Sequence, residues 1–240
     1  MINFSRRLVR KIYWLLSLNR NNSEIFIRTS APVQLHDLVL IGGSFFDSPV
    51  KIIESLRTAP DNKLLEKGEF YPLFYNSNPR TLELLKMLIK ELRPKTVIET
   101  GVANGVSTRQ ILSSFKEFRL DDSKLYSFDI DYRVGTPDLL SNPQFNFVVI
   151  DSQNSFLDAM REIKSVDLFY HDSDHSYYNQ MLEYETAWEV LNSKNGVLVS
   201  DDINWSNAFL DFCKKVNRTP LLLSDGAKFA GIICRDVSKC

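Results

Sequence analysis

Short apolar runs alternate with helical stripes over the last two thirds of the chain. The runs around Val97, Leu125, Phe147, Leu168 and Val197 have the length and composition of buried strands. Between them, apolar residues recur at helical spacing, and this alternation is typical of parallel strands joined by crossover helices. The pattern therefore predicts an α/β fold with a doubly wound, mostly parallel sheet.

Capping residues and turns locate the first helix and the end of the sheet. Asn78 and Pro79 suit a helix start, and the apolar stripe that follows extends to Pro94, so a helix precedes the first strand. A second stripe, at Met181, Tyr184, Trp188 and Leu191, predicts another helix. The last two apolar runs, 221–223 and 229–234, flank a turn at 225–226 and predict a C-terminal hairpin that adds an antiparallel strand.

A carboxylate closes each predicted parallel strand. These acids are Glu99, Asp129, Asp151, Asp172 and the pair Asp201 and Asp202. In an open α/β sheet the ligand crevice lies outside the carboxyl ends of the strands, so the acids should gather at one edge. Clustered carboxylates repel one another and resist desolvation, so their gathering at one edge indicates a bound ligand.

Residues 1–76 lack this order, and we expect a helical and irregular N-terminal cap on a sheet domain of residues 77–240. Residues 4–18 form a short basic amphipathic pattern. It fits a peripheral contact with a membrane surface or a substrate, or a helix docked on the domain or on a second subunit of a homodimer. The shortness of its apolar face favours the docked helix.

Composition excludes several classes of partner. The net charge of −1 gives no reason to expect a nucleic acid. The three cysteines lack the spacing of a zinc site or a disulfide framework. The apolar run from Ile12 to Leu16 is far too short for a transmembrane helix, and no signal-peptide cleavage site follows it. We therefore expect a cytoplasmic protein.

The first strand leads into a glycine turn, Glu99-Thr-Gly101-Val-Ala-Asn104-Gly105. A dinucleotide site would place glycines where Ala103 and Val106 stand, and a carboxylate beside the turn would repel a phosphate. An acid next to a glycine turn suits a cationic ligand with an amino-acid tail. The spacing Glu99-x-Gly101-x-x-x-Gly105 resembles motif I of the class I S-adenosylmethionine-dependent methyltransferases.

This resemblance implies a Rossmann-like fold and S-adenosyl-L-methionine as cofactor. It assigns the acid after the second strand to the ribose hydroxyls and the third strand end to the adenine. The cofactor-binding residues that it implies are Glu99, Gly101, Asn104, Gly105, Ser107, Asp129, Asp151, Ser152 and Asp172.

The fourth and fifth strand ends carry a second cluster. The run Asp172-Ser173-Asp174-His175-Ser-Tyr resembles the D-G-D-H-S-Y signature of a methyltransferase subgroup that includes sugar O-methyltransferases. Here Ser173 stands in place of the usual glycine and His171 in place of the usual isoleucine. The later Gly-Val-Leu-Val-Ser-Asp201-Asp202 resembles the fifth-strand motif of the same subgroup.

Two chemistries follow for this cluster. Asp172, Asp201 and Asp202 could hold Mg²⁺, which prefers oxygen ligands and would lower the pKa of an acceptor hydroxyl. The alternative is that Asp201 caps the next helix and Asp172 holds a loop amide. Asp174 or His175 is the candidate catalytic base, while a loop-bonding role for His175 stays equally open.

The resulting hypothesis is S-adenosylmethionine-dependent O-methylation of a hydroxyl on a sugar or other small molecule, with or without a divalent metal. Two alternatives stay open. One is an N-methyltransferase with a metal-free pocket, and the other is a non-catalytic binding protein on the same fold.

Overall fold

The computed structural model of the chain describes residue 71, residues 76–224 and residues 229–236. The predicted basic helix at 4–18, nearly all of the predicted cap and the turn at 225–226 lie outside the described residues. The division into a cap of residues 1–76 and a domain of residues 77–240 therefore stays a prediction.

The described part of the chain alternates strands and helices from one end to the other. In chain order these are α1 (Pro79–Leu92), β1 (Thr96–Thr100), α2 (Val106–Glu117), β2 (Lys124–Asp129), α3 (Pro137–Leu140), β3 (Phe145–Val149), α4 (Gln153–Arg161), β4 (Leu168–His171), α5 (Tyr177–Val190), β5 (Val197–Ser200), α6 (Ala208–Lys215), β6 (Leu221–Ser224) and β7 (Phe229–Cys234). None of these described helices has the length and apolar character needed to cross a membrane.

The strands form one sheet in the order β3-β2-β1-β4-β5-β7-β6. Strands β1 to β5 pair in parallel, and β7 pairs antiparallel with both β5 and β6. The predicted doubly wound sheet with a terminal hairpin is confirmed. Since β2 and β4 lie on opposite sides of β1, the strand order reverses there, and ligands bind at such a switch point in open α/β sheets.

Local signals account for the helix that precedes β1. The Asn78 side chain accepts hydrogen bonds from the backbone N–H groups of Arg80 and Thr81, as expected of an N-cap. The helix ends at Leu92, two residues before Pro94, and its apolar stripe is buried. Both the predicted N-cap at Asn78 and the predicted end of the helix before Pro94 are confirmed.

The predicted apolar stripe on α5 packs against the core, with Tyr184 fully buried and Met181 and Trp188 partly buried, but polar residues share the buried face. Gln180, Glu183, Tyr184 and Ala187 form the buried set of α5, and of the predicted stripe only Tyr184 belongs to it. Leu191 is buried but follows the helix as its C-cap. Polar residues lie on this buried face because Glu183 bonds to the ends of β1 and β4 and Gln180 accepts from the Ser206 hydroxyl, and periodicity cannot reveal such contacts.

Candidate functional site

The parallel register brings four strand ends to one edge of the sheet. Thr100 pairs with Phe128 on one side and with His171 on the other, and His171 pairs with Ser200. The residues that directly follow these strands therefore begin at a common level. The glycine turn lies at the middle of this edge, where the strand order reverses.

Gly101 is required by a close backbone contact. Its φ is +84°, and a Cβ built on it would lie 2.2 Å from the carbonyl oxygen of Asp172. A side chain cannot occupy that space, because real Cβ atoms do not approach backbone so closely. The turn after β1 therefore packs directly against the loop after β4, and the positions of the two loops depend on each other.

Asp129 holds the glycine turn against β2. Its Oδ2 accepts hydrogen bonds from the backbone N–H groups of Val102 (2.7 Å) and Ala103 (3.2 Å), and its Oδ1 accepts one from Asp131 (2.9 Å). A carboxylate has about four acceptor sites, so Asp129 keeps capacity for a ligand hydroxyl. Its place beside the turn is the one predicted for the ribose-binding acid.

Asp131 is a second acid at the same strand end. Arg133 donates to both of its carboxylate oxygens, and the Tyr71 hydroxyl donates to Oδ2 at 3.1 Å. The hydrogen bonds from Arg133 hold the pKa of Asp131 well below its usual range. Asp131 is therefore a second acid at the end of β2, outside the residues that the family resemblance implies.

Glu99 lies beneath the turn and does not reach the surface of the crevice. It is 0% exposed, and hydroxyls of Ser107, Thr108 and Ser127 donate to its oxygens at 2.5, 2.7 and 2.6 Å. Burial raises the pKa of Glu99, and the three hydroxyl bonds oppose that rise. The bond between Glu99 and Ser107 ties the start of α2 to the end of β1.

Asn104 bonds to the chain that precedes α1. Its side chain accepts from the Tyr71 backbone N–H at 3.0 Å, and its amide donates to the Tyr71 carbonyl and to the Asn76 side chain at 2.9 Å each. Gly105, with φ +69°, is the N-cap of α2. Asn104 therefore links the turn to residues that sequence analysis placed in the cap.

The end of β3 lies beside Asp129, because the backbone N–H of Ile150 donates to the carbonyl of Asp129. Asp151 and Ser152 follow and are exposed. The Ser152 side chain caps α4 and also donates to the carboxylate of Asp151. Both residues remain accessible to a ligand at the predicted adenine position.

The other half of the edge centres on His175. Its Nε2 lies 3.7 Å from Asp172 Oδ1 and 3.9 Å from Asp202 Oδ2. One face of its ring stacks on Trp205, with ring centroids 6.1 Å apart and an interplanar angle of 13°. Asp172 is itself held, since the hydroxyls of Ser77 and Tyr170 donate to its Oδ2 at 2.9 and 3.0 Å.

The structure separates the remaining predicted residues from this group. Asp174 is exposed and accepts from the backbone N–H and hydroxyl of Ser176, next to the start of α5. Asp201 is fully buried and accepts from the Thr81 hydroxyl at 3.3 Å. Within the described ranges no three His, Cys, Asp or Glu side chains are grouped to hold a metal ion, so the predicted metal set lacks geometric support.

Several residues at this edge escaped the sequence analysis. They are Tyr71, Ser77, Thr81, Tyr170, Glu183 and Trp205. Each has a partner far away in the chain, which for Tyr170 is Ser77, and no motif marks them. No sequence signal marks Glu183, because the predicted apolar stripe of α5 does not include its position.

Comparisons with known proteins agree with this architecture. A family model described as a methyltransferase domain matches residues 98–203, from β1 to just past β5. A caffeoyl-CoA O-methyltransferase of Stellaria longipes is 25% identical over 181 residues, covering 72% of this chain and 69% of the relative.

Solved structures share the fold at low sequence identity. The SAH-bound methyltransferase PaMTH1 of Podospora anserina superposes with a TM-score of 0.56 at 11% identity, covering 84% of this chain and 93% of that one. The O-methyltransferase TomG of Streptomyces achromogenes, in complex with SAM, gives 0.56 at 12% identity, covering 78% and 96%. Residues 98–203 are therefore similar to a methyltransferase domain, in agreement with the relative and with the sheet order.

Proposed function

We propose that this chain is an S-adenosylmethionine-dependent methyltransferase that acts on a hydroxyl oxygen of a small molecule, and that a sugar or similar polyol is the acceptor. The observation that carries the proposal is the position of His175, whose Nε2 lies between two carboxylates beside the glycine turn. The relative from Stellaria longipes is named an O-methyltransferase, which supports oxygen as the acceptor atom.

The residues at the edge fit S-adenosylmethionine. The Asp129 carboxylate has acceptor capacity for ribose hydroxyls, and the exposed Asp151 and Ser152 stand at the next strand end, within reach of an adenine. When bound, the cofactor supplies an electrophilic methyl group on a sulfonium. Glu99 and Asn104 would act indirectly, by fixing the shape of the turn from below and from the side.

His175 is the proposed base of the acceptor half. Its Nε2 would take the proton of the acceptor hydroxyl, and the facing carboxylates of Asp172 and Asp202 would stabilise the resulting imidazolium. Trp205, which stacks on His175 and is 41% exposed, adds an aromatic surface beside these carboxylates. Carboxylates that accept hydroxyl hydrogens next to an aromatic face support a polyol as acceptor.

A divalent metal fits this arrangement less well. The imidazole nitrogen of His175 lies between the oxygens of Asp172 and Asp202, and Asp201 is buried against Thr81. The three predicted ligands therefore do not form a ready site, and no step of the proposal uses a metal. We expect methyl transfer to persist after treatment with EDTA, and a loss that Mg²⁺ restores would contradict this part of the proposal.

The test measures methyl transfer from radiolabelled S-adenosylmethionine to a panel of sugars, other hydroxylated molecules and amines. We expect His175→Ala to lower kcat by about 10²- to 10⁴-fold, the usual contribution of a general base. Affinity for S-adenosylhomocysteine, measured by calorimetry, should stay within about twofold, since that binding needs no base.

A comparison with Asp174→Asn separates the two candidate bases, and a larger loss of kcat in that variant would assign the role to Asp174. Methylation of the amines alone would favour the N-methyltransferase alternative. Binding of the cofactor product with no transfer to any acceptor in the panel would favour the non-catalytic alternative.

A further inference from the structure

Glu183 is a buried carboxylate on α5 that lies outside the proposed site. Hydroxyls of Thr100 and Ser173 donate to it at 2.5 and 2.7 Å. The His171 Nδ1 lies 2.7 Å from its Oε2, and the Asn179 amide donates to its Oε1 at 2.9 Å. Four partners therefore converge on one side chain that is 3% exposed.

Three of these partners adjoin the residues that form the site. Thr100 directly precedes Gly101, and His171 and Ser173 flank Asp172 on either side. Because the Asp172 carbonyl packs against Gly101, the positions of these two strand ends depend on each other. Glu183 thus bonds to both sides of the contact between the glycine turn and the loop that carries His175.

The network depends on the charge of Glu183. Burial opposes ionisation, yet the adjacent His171 and the hydroxyl bonds lower the pKa of Glu183 overall. His171 Nε2 is buried and has no hydrogen-bond partner among the described residues, so Nδ1 carries the polar contacts of this ring. Removing the carboxylate would leave several buried donors unsatisfied, which costs more than the bonds themselves contribute.

We infer that Glu183 is a positioning residue that couples the cofactor half of the site to the acceptor half. It fixes the Asp172–His175 loop against the turn that begins at Gly101, and this inference rests on the proposed methyl transfer. His171 and Ser173 are the two positions at which the sequence departs from the signature that it resembles. Both bond to Glu183, so the three side chains form one unit.

The first test is calorimetric binding of S-adenosylhomocysteine to the full chain. We expect Glu183→Ala to weaken binding about tenfold, the change that a coupling of ~1.4 kcal/mol produces. Glu183→Gln keeps one acceptor oxygen but loses the charge and turns an amide N–H toward two of the donors, so it should recover only part of the loss. Glu185→Gln is the matched control on the same helix, since Glu185 pairs with Lys215 at the surface, and it should bind as the wild type does.

A reciprocal test covers the case in which Glu183→Ala does not fold. Changing His171→Ile and Ser173→Gly together removes two donors and leaves a poorly satisfied buried carboxylate, so binding should fall about tenfold. Adding Glu183→Leu removes that carboxylate and should restore binding to within about threefold. A triple variant that binds no better than the double variant would overturn the inference, as would wild-type affinity in Glu183→Ala.

The binding of S-adenosylhomocysteine is measured without an acceptor, so this test remains valid if the proposed acceptor class is wrong. The effect of Glu183 on the acceptor half is measured as a change in kcat. Glu183→Ala should lower kcat at saturating S-adenosylmethionine, because the loop that holds His175 shifts. An unchanged kcat would restrict Glu183 to the cofactor half and refute the coupling, whereas failure of the wild type to transfer a methyl group would refute the proposed function alone.

Discussion

Replacing Gly101 by alanine tests whether the contact between the turn and the loop after β4 organises the site. A left-handed backbone costs an alanine ~1–2 kcal/mol. The new Cβ would also lie 2.2 Å from the carbonyl oxygen of Asp172, which is backbone and cannot rotate away. Overpacking of this kind costs a further ~1–3 kcal/mol. We therefore expect Gly101→Ala to lower the free energy of unfolding by ~2–5 kcal/mol.

The assay is urea unfolding followed by tryptophan fluorescence and circular dichroism, with the binding of S-adenosylhomocysteine measured on the same samples. The matched control is Ala103→Gly in the same turn, where φ is +45° and glycine removes strain. That variant should unfold at the wild-type urea concentration or above it. A Gly101→Ala protein within ~0.5 kcal/mol of the wild type, the usual range for neutral surface changes, would refute the reasoning.

Three further changes probe single contacts. Asn78→Ala removes the cap of α1 and should lower the free energy of unfolding by ~1 kcal/mol in urea, with no change in S-adenosylhomocysteine affinity. Asp129→Ala should weaken that affinity by about tenfold or more, and unchanged calorimetric binding would remove Asp129 from the cofactor site. The effect of Glu99→Gln on the free energy of unfolding depends on pH. Because burial raises the pKa of Glu99 in the folded state, its protonated form stabilises the fold at low pH, and that contribution is lost as pH rises above its ordinary value. The stability of Glu99→Gln relative to the wild type should therefore rise between pH 4 and pH 7, and urea midpoints that shift in parallel would contradict the raised pKa.

The acids at the strand ends show what motifs and apolar patterns can predict and what they cannot. Their common edge follows from parallel strands, and the sheet has it as predicted. Sequence could not separate Glu99, which faces three hydroxyls below the turn, from Asp129, which faces the turn itself. Both lie near the end of an apolar run, and the difference depends on which neighbouring strand or helix supplies a donor.

The same reason explains the candidate base. Asp174 and His175 are adjacent in the sequence and were equal candidates for proton transfer. The fold turns Asp174 outward to Ser176 and sets His175 between Asp172 and Asp202, which come from different strand ends. The side chains that support Asp172, Ser77 and Tyr170, became visible only through this packing.

By itself the sequence determined the order of the main helices and strands, the N-cap at Asn78 and the parallel sheet with its hairpin. These features depend on short-range signals such as periodicity, capping and turn residues, which neighbouring positions carry together. Only the tertiary structure decided that Glu99 and Glu183 are buried and accept several hydrogen bonds each, and that His175 faces two carboxylates. Such roles depend on hydrogen-bond partners brought together from distant parts of the chain, and a local pattern cannot specify them.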